Sequence, residues 1–277
     1  MTGTSAIART FERLRRDRRA GLVTYVTAGD PDLERSARVV RALDRAGADV
    51  LEIGVPFSDP MADGPVIQRA TERALAAGAT LGRVLELIES VRPDVSAPMV
   101  LFSYANPVLR MGLRAFARRA RGAGVNGVLV LDLPIEEAAE MHATFTANEL
   151  DTIFLLSPTT TTERVRKAAA MGSGFLYGIS RLGVTGARES ISADARTLIE
   201  RIRAETDLPV ALGFGISRPE HVADVGRWAD AAVVGSALVS VVAEHGGRET
   251  LEPAVEGFVR WLKGTAPAPT PAVARQA

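Results

Sequence analysis

Eight times along this chain a short apolar, β-rich segment is followed by a turn signal and then by apolar residues at helical spacing. The segments are residues 22–27, 49–53, 99–102, 127–131, 152–156, 174–178, 209–212 and 231–234. Helices are expected over 33–46, from about Pro65, over 81–91 with Thr80 as N-cap, and over 112–122. Further helices follow Pro134 to about 148, then run over 163–171 and 193–205, from Arg218, briefly after Ser236, and over 251–262. Repeated strand–helix units require parallel strands covered by helices. Eight of them favour a closed (β/α)8 TIM barrel over an open doubly wound sheet.

Length and composition agree with one large barrel. The chain has 277 residues, 47% hydrophobic and 24% charged, and no change of composition separates domains. We therefore expect residues 1–263 to form a single barrel with an extra N-terminal helix and further added helices. Residues 264–277, rich in proline and alanine, read as a disordered tail. Lys+Arg and Asp+Glu both number 33, so the balance points to neither nucleic acid nor a membrane surface. The absence of cysteine excludes disulfides, thiol catalysis and zinc–thiolate sites.

No apolar run reaches the roughly 18 residues of a membrane span. Ile7, Phe11 and Leu14 fall at helical spacing between arginines, which reads as an amphipathic helix packed on the body; a basic targeting peptide is the alternative. A cytoplasmic location is the default expectation.

The second segment contains a carboxylate where burial is costly. Alternation puts Leu51 and Ile53 on one face and Val50, Glu52 and Gly54 on the other. Glu52 is either a buried, salt-bridged glutamate or a general acid/base whose pKa is raised by apolar surroundings. The loop after it carries Asp59 and Asp63. Asp59 can stabilise its own turn, and Asp63 can cap the helix beginning at Pro65, or either can belong to a site.

In a barrel the site lies at the C-terminal ends of the strands. Gly213, Gly215, Gly235 and Ser236, after the seventh and eighth segments, are candidates for holding a phosphate on backbone N–H groups and a helix N-terminus. Gly183 and Gly186 would allow the sixth loop to close over a ligand. Tyr177 shares a face with Phe175 and Ile179, as core filler or as a hydrogen-bond partner for a carboxylate. Asp132 either lines the pocket or caps the next helix. Tyr25, Phe102 and Phe214 either fill the core or wall an aromatic ligand.

The other chemistry-bearing residues narrow the reaction. His142, His221 and His245 are scattered in or beside helical stretches without metal-ligand spacing. Lys167 and Lys263, the only lysines, are not at a strand end that would present a Schiff-base amine. Carbon–carbon chemistry here would have to use carboxylates and the substrate's own electron sink.

The run Glu52-Ile53-Gly54-Val55-Pro56-Phe57-Ser58-Asp59-Pro60-Met61-Ala62-Asp63-Gly64-Pro65 resembles the signature of the tryptophan synthase α chain family. The likeness extends in the family's order through the Tyr25–Pro31 motif, Tyr104-Ala105-Asn106, Ser180-Arg181-x-Gly183-Val184-Thr185-Gly186, Gly213-Phe214-Gly215-Ile216-Ser217 and Gly235-Ser236. It implies a TIM barrel that cleaves indole-3-glycerol phosphate to indole and glyceraldehyde 3-phosphate. Glu52 is then the principal acid/base, and Asp63 contacts the indole N–H.

By the same resemblance Tyr177 packs near substrate and glutamate, Thr185 on the closing loop contacts Asp63, and Gly186, Gly215, Gly235 and Ser236 bind phosphate. Asp59, Pro60 and Asn106 match the face that meets the β subunit. The family implies no cofactor in this chain, pyridoxal phosphate in the β partner, and an α2β2 complex. Relatives often have serine where Val234 stands, which removes one hydroxyl near the phosphate. A stand-alone lyase releasing free indole and an inert barrel that activates a partner are the alternatives.

Overall fold

The apolar segments form parallel strands in a computed structural model that describes residues 4–179, 193–213 and 215–268. They are β1 (Gly21–Thr27), β2 (Val50–Gly54), β3 (Met99–Ser103), β4 (Gly127–Val130), β5 (Asp151–Ile153), β6 (Leu155–Leu156), β7 (Leu176–Ile179), β8 (Val210–Gly213) and β9 (Ala231–Val234). Their order in the sheet is β5-β4-β3-β2-β1-β9-β8-β7-β6. The expected strand over 152–156 is thus two short strands on either side of Phe154. The first half pairs with β4 and the second with β7, so the ladder changes partner at this point. One continuous piece of chain thereby joins both ends of the strand order, which closes the barrel into a TIM-type fold.

Side-chain alternation sorts the strand residues into two layers. Leu22, Leu51, Ile53, Met99, Leu101, Val128 and Leu212 face outward into a core shared with the helices. Val23, Val50, Val100, Leu129, Ile153, Phe175, Ala211 and Ala231 fill the barrel interior. Ile7, Phe11 and Leu14 belong to that interior cluster, so the N-terminal helix Ala6–Arg16 plugs one end of the barrel. Ser5 caps this helix by accepting the Ala8 N–H at 3.1 Å, and the Phe11 and Phe175 rings stand 5.5 Å apart. Each of these fully buried side chains contributes about 1.5–3 kcal/mol.

Beside the plug, buried Asp49 receives Arg19, Lys263 and the Leu22 N–H. These partners outweigh burial and hold its carboxyl below the usual range. With the N-terminal end filled in this way, the opposite end is left for a site.

Most helices fall where expected, Thr80 capping the helix Leu81–Val91 and Pro65 opening the helix Pro65–Ala76 at its first position. One was not expected: the short helix Ala105–Met111 after β3. Pro107 obscures it in the sequence, yet proline is tolerated in a first turn, where its missing N–H has no partner to lose. Residues 269–277 of the expected tail lie outside the described residues. No helix among the described residues is long and apolar enough to cross a membrane.

Candidate active site

Glu52 faces the barrel interior from β2, beside Tyr25 of β1 in the strand register. It is 1% exposed, and among the described residues neither carboxylate oxygen has a hydrogen-bond partner. Among the described residues the salt-bridged alternative finds no arginine at Glu52. Burial pushes the carboxyl up to about 8, because no donor or cation offsets the loss of solvation. A carboxyl with that pKa is mostly protonated at neutral pH and still able to give and regain a proton.

Aromatic side chains surround it. The Tyr25 ring meets Phe102 of β3 edge-on at 5.5 Å, and its hydroxyl lies 3.4 Å from the Thr27 hydroxyl. Tyr177, from β7, packs on the same interior cluster. Burial raises both phenols, and neighbouring negative charge adds to it: Asp63 and Glu52 at Tyr25, Glu52 at Tyr177.

Glycines at strand ends make room for these rings. A Cβ on Gly54 would stand 2.3 Å from the Tyr25 hydroxyl oxygen, and one on Gly213 would stand 2.9 Å from that of Tyr177. Gly213 thus has a packing reason of its own besides any anion. Gly54→Ala should push the Tyr25 ring out of place and cost about 1–3 kcal/mol. Urea unfolding checks this; an unchanged midpoint would show that the ring has room to move.

Asp63 ends the acidic loop. The cap of the next helix is Gly64, with no side-chain bond, so Asp63 does not act as that cap. Instead its Oδ2 accepts the Tyr104 hydroxyl at 3.1 Å. Burial raises its pKa and the Tyr104 bond opposes the rise. Asp59 accepts the Ser58 hydroxyl at 2.6 Å. Asp30, in the loop after β1, is buried and paired by both oxygens to Arg73 at 2.7 and 2.8 Å. That pair ties the β1 loop to the helix that follows the acidic loop.

The phosphate candidates follow β8 and β9, and β9 pairs directly with β1. Gly235 precedes the helix Ser236–His245, whose N-terminus has no side-chain cap, so its first N–H groups are available to an anion. The position a Cβ would take on Gly235 is 3.8 Å from Tyr25, which puts this helix start next to the aromatic wall. Gly215 is exposed with φ +52°, a backbone that favours glycine. Thr185, Gly186, Gly183 and Phe214 lie outside the described residues.

Asp132 accepts the Ala105 N–H at 2.6 Å and so caps the helix after β3, not the one that follows Asp132 itself. It also lines, with Leu131, Leu155 and Ile179, a cleft of about 340 Å³ at the barrel mouth; Glu52 and Asp63 do not line it. Asp59, Pro60 and Asn106 stand on the rim, Asp59 and Asn106 exposed, with Met61 85% and Leu109 59% exposed beside them in sequence.

Among the described residues no group of three or more His, Asp or Glu side chains is placed to hold a metal. His142, His221 and His245 instead contact Thr152, the Ser217 N–H and Thr250.

Sequence reading assigned no role to Tyr104 or to Gly54. Tyr104 opens the Tyr104-Ala105-Asn106 motif at a strand end, where a polar aromatic is a signal. Gly54 shares a face with Glu52, but only the neighbouring strand reveals what it leaves room for.

Comparison with known proteins agrees with this geometry. Residues 11–263 match the family model described as "Tryptophan synthase alpha chain". The chain is 49% identical to the tryptophan synthase alpha chain of Solibacter usitatus over 257 residues, covering 93% of this chain and 96% of that one. It is 40% identical to the Arabidopsis thaliana alpha chain over 263 residues, covering 95% and 96%. Its fold is similar to tryptophan synthase subunit alpha of Legionella pneumophila, with TM-score 0.86 at 36% identity over 95% of this chain and 98% of that one. A chain of Mycobacterium tuberculosis tryptophan synthase gives TM-score 0.88 at 36% identity over 96% and 100%. With the barrel, the buried glutamate and the full-length likeness in agreement, this chain belongs to the tryptophan synthase alpha chain family.

Proposed function

We propose that this member of the family cleaves indole-3-glycerol phosphate by carboxylate acid/base catalysis and passes the indole to a β subunit. The observation that carries the reading is Glu52: a carboxyl without partners among the described residues, inside an aromatic-walled barrel mouth, poised near 8 by burial.

Protonated Glu52 gives its proton to indole C3, which turns the ring into an indolenine. The bond from C3 to the glyceryl carbon then breaks, and its electron pair returns to the ring. The hydroxyl on that carbon becomes the aldehyde as its proton leaves, and the carboxylate left on Glu52 is the base that takes it. Protons balance over the cycle. Asp63 stabilises the positive charge that develops at the ring nitrogen. Tyr25, Phe102, Tyr177 and Phe214 wall the indole, and Asp132 borders the pocket. Gly186, Gly215, Gly235 and Ser236 hold the phosphate, and Thr185 closes on Asp63.

Asp59, Pro60 and Asn106 meet the β subunit in an α2β2 assembly. Pyridoxal phosphate resides in that partner, and this chain needs no cofactor for its own step.

Indole release from indole-3-glycerol phosphate, measured with and without a β subunit, tests the reading. Slow turnover that β accelerates is the expected result. Fast turnover indifferent to β would make the chain a stand-alone lyase, and no turnover in either case would leave an inert barrel.

A further inference from the structure

Asp63 closes a loop whose preceding residues are largely in solvent: Ser58, Asp59, Met61 and Ala62 are exposed. A carboxylate on such a loop has no fixed aim unless something buried holds it. Tyr104 is 3% exposed and makes contacts that span the loop. Its ring packs on Phe57 at 5.1 Å, its hydroxyl oxygen accepts the Ala62 N–H at 3.2 Å, and its hydroxyl proton goes to Asp63 Oδ2 at 3.1 Å. A phenol has one proton to donate, and the direction of these bonds commits it to the carboxylate.

Tyr104 is in turn fixed from behind. It precedes the helix Ala105–Met111, whose first N–H is held by Asp132 at 2.6 Å and whose Val108 is fully buried. The phenol therefore ties the loop to a rigid element of the barrel, while the Gln68 side-chain amide holds the Asp63 carbonyl at 2.9 Å and leaves the carboxylate to Tyr104.

We propose that Tyr104 is the positioning residue of Asp63, its hydroxyl fixing the carboxylate in the orientation that meets the ring nitrogen. The inference rests on the acid/base reading of this site. A hydrogen bond to a charged group accounts for roughly a 10- to 100-fold change in rate when it acts on a catalytic carboxylate. The bond also favours the ionised form of Asp63, so its loss raises the pH at which Asp63 takes up a proton. Among the described residues the titratable groups that act on the pair are the Tyr25 phenol from β1 and Asp132 from the loop after β4, with Glu52 from β2 acting on Tyr25 in turn.

The test is Tyr104→Phe in the full chain, which deletes one oxygen and keeps the ring. Turnover of indole-3-glycerol phosphate should fall about 10- to 100-fold with little change in KM. The acid limb of the kcat–pH profile should move to higher pH. The Asp63 carboxyl carbon, followed by ¹³C NMR and assigned with Asp63→Asn, should titrate higher in the variant. In the Asp63→Asn background the substitution should add little, because the hydroxyl acts through that carboxylate.

Wild-type kcat in Tyr104→Phe, an unmoved Asp63 titration, or a loss that persists undiminished on top of Asp63→Asn would overturn the proposal. Should Tyr104→Phe fold poorly, 3-fluorotyrosine placed at 104 keeps the shape and strengthens the donor. The Asp63 titration must then move lower, and no movement counts against the proposal. If the wild-type chain cleaves nothing, the acid/base reading fails, and the titration still decides whether the hydroxyl holds Asp63.

Discussion

Glu52→Gln should lower turnover of indole-3-glycerol phosphate by about two to four powers of ten, the usual cost of removing one acid/base group. The amide matches the size of the protonated carboxyl, but its N–H protons are far too weakly acidic to transfer. Retention of more than about a tenth of wild-type turnover would remove Glu52 from that role. The wild type should also lose activity as pH rises through about 8, where the acid form disappears.

The same substitution should affect stability in a pH-dependent way. Below 4.5, the ordinary value for glutamate, folded and unfolded chains both carry the proton, and the carboxyl adds no slope. Between 4.5 and about 8 the unfolded chain ionises while the folded one does not, so the wild type loses stability as pH rises; above about 8 the loss is complete. Each tenfold difference in proton affinity between the two states is worth ~1.4 kcal/mol, so the full loss is of order a few kcal/mol. Glu52→Gln should therefore melt close to wild type at pH 4 and above it at pH 8 to 9. Equal melting temperatures across that range would mean that Glu52 finds a partner when ionised.

Asp63→Asn is expected to cut turnover by about 100- to 1,000-fold while leaving the loop in place. The amide oxygen still accepts the Tyr104 hydroxyl, so what disappears is charge, not the contact. Opposite unit charges roughly 4 Å apart interact by about 4 kcal/mol at an effective dielectric near 20, which sets the upper end of that range. The loss should appear in kcat more than in KM, since the positive charge on the ring develops only as C3 is protonated. Rates near wild type would reduce Asp63 to a loop anchor for Tyr104.

Local pattern in the sequence already determined the chain of strands and helices, the Thr80 and Pro65 helix starts, and the face on which Glu52 lies. The reason is that periodicity and capping are properties of neighbouring residues. Parity put Glu52 on the face of Val50 and Gly54, the closed barrel made that face the inner layer, and the glycine and acidic motifs already pointed to the strand ends.

Contacts between distant segments were decided only by the tertiary structure. Among the described residues no arginine pairs with Glu52, because the barrel wall and its plug fill the interior with apolar groups. Asp63 turns from the helix it precedes toward Tyr104, 41 residues on, and Asp132 caps a helix 27 residues back. The ladder changes partner at Phe154, since one strand must meet both β4 and β7 for the sheet to close. Sequence spacing specifies which way a side chain faces along its own element. What that side chain meets depends on register and closure, which arise only when all the strands are in place.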